Sequence, residues 1–106
     1  MADIVVGRTL NRIRIKLVRS SQEAFALAWR DANGDPLDIT AYTFSIVVDI
    51  PEAASVTWTA TKAGSQTTWS LNATQTNLPI GYYSGRLVAT DSNGPLVAYS
   101  VVVEVQ

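Results

Sequence analysis

From Arg12 to Leu17 the chain reads Arg-Ile-Arg-Ile-Lys-Leu, with a cation and an aliphatic residue in strict alternation. A period of two belongs to a β-strand, whose successive side chains leave opposite faces of a sheet; a helix would scatter the same residues around its circumference. The stretch running on to Arg19 therefore predicts a half-buried strand, with Ile13, Ile15 and Leu17 inward and Arg12, Arg14 and Lys16 outward.

The same grammar recurs along the chain. Phe25, Leu27 and Trp29 share one face and end at the turn-forming run Asp31-Ala32-Asn33-Gly34-Asp35-Pro36. Phe44, Ile46, Val48 and Ile50 share another, closed by Pro51, which has no N–H to give to a sheet ladder. Residues 55–61 set Val56, Trp58 and Ala60 against hydroxyls, and residues 67–72 place Trp69 and Leu71 together. Tyr83, Leu87 and Ala89 point inward from residues 82–90. After the turn Asp91-Ser92-Asn93-Gly94-Pro95, the final strand carries Val97, Tyr99, Val101, Val103 and Val105 on one face. Seven short strands with turn signals between them predict an all-β, immunoglobulin-like antiparallel sandwich, with a small barrel as the competing architecture. Gly81-Tyr82-Tyr83 reads as a tyrosine corner, with Tyr83 as the buried ring, and this favours the sandwich.

A chain of 106 residues has room for one domain and enough core to fold without staples. At 47% apolar and 16% charged it is not a disordered tail. Cysteine and histidine are both absent. That removes thiol metal sites, disulfides, the usual neutral-pH acid/base group, and Cys-His and Ser-His nucleophile pairs. The expectation is a protein with no enzymatic activity and no cofactor. No apolar run has the length of a signal peptide core or a membrane span, so folding in a cytoplasm is expected.

Charge is unevenly spread. Residues 1–19 hold Arg8, Arg12, Arg14, Lys16 and Arg19 against Asp3, a net of +4, so the remainder carries −5 of the total −1. The sequence thus divides into a basic N-terminal arm or first strand, 1–19, and a sandwich body, 20–106. The five cations are the candidate interaction residues, suited to an acidic partner. A charged edge strand that resists aggregation is the bland alternative. The strip is too short, and the body too acidic, for nucleic acid to be expected.

Other candidates carry less. Asp31-x-Asn33-x-Asp35 begins like a calcium loop, but its glycine falls at the fourth position instead of the sixth, and Tyr42 stands where a bidentate Glu is needed. Trp29, Trp58 and Trp69 would suit a sugar platform, yet each is in phase with the apolar residues of its own strand, which predicts core packing. Tyr82 is the expected surface aromatic. Asn72-Ala73-Thr74 matches a glycosylation sequon, which requires secretion. Asp38, Asp49, Glu52 and Glu104 form no pair spaced for acid/base work.

The run from Asp31 to Thr40, the later Leu78-Pro79-Ile80-Gly81-Tyr82-Tyr83, and the run from Leu87 to Gly94 resemble tailed-phage structural immunoglobulin-like domains. The N-terminal domain of phage baseplate upper proteins is the family in view, over roughly residues 20–105. The resemblance implies a non-enzymatic module that fixes a fibre or receptor-binding protein to a tail. No fibre or receptor-binding region follows Gln106, so a free-standing adaptor or decoration subunit is expected, in a virion assembled in the host cytoplasm. Its expected partners are other virion proteins and copies of itself, with no nucleic acid and no membrane. A capsid decoration protein and a carbohydrate-binding module that takes a host glycan are the alternatives.

Overall fold

The computed structural model describes residues 3–6, 12–30 and 33–106. Nine strands follow one another: β1 (Asp3–Val6), β2 (Arg12–Leu17), β3 (Glu23–Ala28), β4 (Thr43–Val48), β5 (Val56–Thr59), β6 (Thr61–Ala63), β7 (Gln66–Leu71), β8 (Gly81–Asp91) and β9 (Gly94–Val105). There is no helix among the described residues. A six-stranded sheet, ordered β1-β2-β9-β8-β4-β5, faces a three-stranded sheet, ordered β3-β7-β6. Strands β3, β7 and β6 opposite β9, β8 and β4 reproduce the two-sheet arrangement of an immunoglobulin-like sandwich.

Two details differ from the sequence expectation. The strand count is nine instead of seven, because β1 adds to the large sheet and the predicted strand 55–61 divides at Ala60. There the chain leaves one sheet for the other: Ala60 N still donates to Phe44 O at 2.9 Å, while Thr61 already pairs with Thr68. The sandwich is also not wholly antiparallel, since β2 runs parallel to β9, with Ile13 opposite Val101 and Leu17 opposite Val105.

The inward faces meet in one core. Ile13, Ile15 and Leu17 from β2 are buried with Val101, Val103 and Val105 from β9, Leu87 from β8, and Phe44, Ile46 and Val48 from β4. Strand β4 ends at Val48, and Ile50, expected on its inward face, lies half-buried in the loop beyond. Trp58 and Trp69 are 2% and 0% exposed. Trp69 reaches across the layers, its Nε1 donating to Trp58 O at 3.0 Å, and stacks on Phe25 with ring centroids 5.5 Å apart. Its one polar atom is thus satisfied inside an apolar interior, as burial requires.

Tyr83 is buried at the start of β8, and its hydroxyl donates to Pro79 O at 2.6 Å, the geometry of a tyrosine corner. Two glycines are needed where they stand. Gly94 closes the β8–β9 turn at φ 111°, beside an Asn93 N–H that donates to Asp91 Oδ1 at 2.8 Å. At Gly85, a Cβ would lie 2.5 Å from Val47 O, so only glycine lets β8 approach β4 this closely.

Candidate functional site

Cross-strand register fixes what stands beside what on the outer face of the large sheet. Lys16, Glu104 and Tyr82 form one row across β2, β9 and β8. Arg14, Val102 and Ser84 form the next, and Arg12, Ser100, Arg86 and Val47 the third. Arg12, Arg14 and Lys16 are all exposed, and successive cations rise along β2 at about 6.6 Å, twice the strand repeat. The basic stretch is therefore a row of charges at fixed spacing, carried by a strand whose other face lies in the core.

Strand β2 is flanked on both sides, by β1 and β9. Its cations cannot be guarding a sheet edge, which was the bland reading of this segment.

Part of this charge is answered within the sheet. Arg14 Nη2 lies 3.5 Å from Glu104 Oε1, and Arg86 Nη1 lies 3.5 Å from Asp49 Oδ1. Glu104 is held below the usual carboxylate range, chiefly by the Gln106 side-chain amide that donates to it; partial burial opposes this, while Lys16, the Tyr82 hydroxyl and Arg14 assist. Three cations against two acidic residues, Glu104 and the Asp3 that pairs with Lys16 from β1, leave this stretch at +1. Arg19 stands beyond the strand's end, its Nε donating to Asn77 Oδ1 at 3.2 Å and its backbone N–H to Gln106 O at 2.9 Å. Arg8 lies outside the described residues.

The end of the sheet beside Lys16 exposes three large apolar side chains among its polar ones. Val18 is 48% exposed, Ile80 70% and Tyr82 68%. Val18 follows Leu17 and Ile80 precedes Gly81, and both of those positions pair with Val105, so the three side chains gather around the end of β9. They are three of the four large apolar residues left exposed among the described residues. Grouping of this kind marks contact surfaces, whereas scattered exposed apolar residues are ordinary. Sequence reading found Tyr82 but passed over Val18, although it falls in phase with the outward Arg12, Arg14 and Lys16, and missed Ile80, which lies in a loop where no alternation reports exposure.

The remaining candidates stay apart. Trp29 is half-buried and packs against the core instead of lying within it, with Nε1 donating to Thr67 Oγ1 at 2.9 Å. Asp31 of the calcium-like run lies outside the described residues. Among those described, no group of three or more acidic side chains is gathered as a metal site. Asp38 is capped by Thr40, while Asp49 and Glu104 belong to the surface pairs above. Thr76, which sequence reading left in a loop, is fully buried and ties two loops together through its hydroxyl, which donates to Ser21 O at 2.7 Å.

Comparison of the chain with protein-family models and with curated proteins finds no match.

Proposed function

We propose that the chain is a non-catalytic attachment module of a tailed-phage particle, placed in the tail or baseplate. It holds other virion proteins or copies of itself through protein–protein contacts, in particles assembled in the host cytoplasm. The observation that supports the contact reading is the outer face of the large sheet. A regularly spaced cationic row on a flanked strand runs into an exposed cluster of Val18, Ile80 and Tyr82. Exposed aliphatic residues and a tyrosine beside the row of Arg12, Arg14 and Lys16 give a mixed apolar and cationic face of the kind protein partners contact. Its net positive charge fits an acidic partner surface and would speed encounter with it. The phage setting rests on the resemblance in turn and strand sequence from Asp31 to Gly94.

Deleting residues 1–19 is a poor test, because it also removes Ile13, Ile15 and Leu17 from the core. Surface substitution avoids this. With Arg12, Arg14 and Lys16 all changed to serine, the chain is expected to fold but to fall at least tenfold in co-purification with particles, about 1.4 kcal/mol of lost association. Retention at the wild-type level would refute the contact face. Absence of the unaltered chain from purified particles would refute the phage setting.

A further inference from the structure

At the end of the sandwich opposite Val18 and Ile80, aromatic rings collect around the first residues of β4. Trp29 stacks on Phe44 with centroids 4.7 Å apart, and Tyr42 tilts against the same ring at 6.0 Å. Together with Leu37 and Asp38 these rings line an open pocket of about 260 Å³. Its walls are tied in place by main-chain bonds: Trp29 N donates to Ser65 O at 2.8 Å, Leu37 N to Trp29 O at 3.0 Å and Tyr42 N to Ile39 O at 3.0 Å. Lys62 Nζ spans the carbonyls of Ile39, Thr40 and Tyr42, which braces the loop, and Lys62 is not part of the pocket wall. A shape held this way loses little entropy when something enters it.

Asp38 is the one charged residue on that wall. Thr40 donates to its Oδ1 through both the backbone N–H, at 3.0 Å, and the hydroxyl, at 2.6 Å. These bonds hold the carboxyl below its ordinary range and keep it ionised at neutral pH. Oδ2 accepts no bond from any described residue. The pocket is thus an aromatic and aliphatic hollow with one fixed anion at its lip.

We propose that this pocket receives an arginine side chain from a protein partner, its stem against Leu37 and its guanidinium against the aromatic wall that Trp29 and Tyr42 form around Phe44, paired with the Asp38 carboxylate. The planar cation stacks on aromatic faces and donates to a carboxylate at once, which suits it better than a compact ammonium. A purely aliphatic side chain would dehydrate Asp38 with nothing to pair it. A sugar ring would find only the Asp38 carboxylate and the Tyr42 hydroxyl on a wall where its hydroxyls need several, since the Trp29 indole N–H is already given to Thr67. The inference goes beyond the contact face of the large sheet and holds whether or not that face is used.

The test is a titration of the full chain, labelled for amide and indole NMR signals, with N-acetyl-arginine amide, with its neutral citrulline counterpart and with glucose. Arginine amide is expected to give saturable shifts confined to residues 37–44 and the Trp29 indole. Citrulline is expected to bind at least about fivefold more weakly, and Asp38→Asn to lose a similar factor for arginine. An equal response to arginine and citrulline overturns the proposal. So does saturation by glucose with silence toward arginine, or silence toward all three. The decisive comparison uses the unaltered chain, so a misfolded Asp38→Asn variant would not shield the idea.

Discussion

The two sheets turn very different outer faces to solvent. On the large sheet the outward positions include Arg12, Arg14, Lys16, Arg86, Glu104 and Tyr82, long side chains that project from the surface among shorter ones such as Ser84 and Ser100. On the small sheet β3 turns out Ala24, Ala26 and Ala28, paired with Ser70, Thr68 and Gln66 of β7. β3 and β7 of the small sheet alternate as the strands of the large sheet do and cover the same core, so the fold makes no demand that explains the contrast. Outward positions are free of packing constraint, and their chemistry therefore reports use where inward positions report folding.

The sharpest way to separate those two kinds of position is to cut into the core beneath the plainer face. Trp69→Ala, below the alanines of the small sheet, should cost about 3–5 kcal/mol by urea unfolding, since it empties a large volume and deprives Trp58 O of its donor. A loss below about 1 kcal/mol would mean that the small sheet contributes little to the common core. On the large sheet, Gly85→Ala should cost about 1–3 kcal/mol, because the new methyl meets a backbone oxygen that moves only with its strand. An unchanged unfolding midpoint would show that β8 and β4 have slack between them.

The smallest effect should lie on the charged face itself and should depend on pH. The Glu104 carboxyl titrates lower in the folded chain than when unfolded. Its stabilising contribution is therefore complete above the ordinary carboxylate value and is lost as pH falls through the lowered folded value. Glu104→Gln should be slightly less stable than the parent at neutral pH, and the two should converge in acid. A gap that persists unchanged in acid would assign the effect to packing instead of charge.

How much could be read from the chain depended on where the determining contact lay. Strands β2, β4 and β7 were legible because each buries every second side chain, so a local pattern carries the information. Strand β1 was not, since Ile4-Val5-Val6 shows no alternation and its pairing depends on β2. The parallel β2–β9 ladder left no trace either, because strand alternation looks the same in both directions. The break at Ala60 is hidden for a related reason: the side-chain rhythm continues while the hydrogen-bond partner changes. At the candidate contact face the cations were visible, but the Val18, Ile80 and Tyr82 cluster exists only because β9 brings distant loops together. The position of Trp29 at the rim of the core was likewise a matter of which strands face it, not of its phase along β3.

The parallel ladder also has a bearing on assembly in time. Arg12 lies beside Ser100, and Lys16 beside Glu104, so the proposed contact surface joins early chain to late chain. Closing so long a loop is entropically slow and brings no reward until the far segment arrives. On a ribosome, β2 would wait with its apolar side unshielded until β9 emerged, and the surface could engage nothing before then. Recognition through the proposed surface would thereby be reserved for finished molecules.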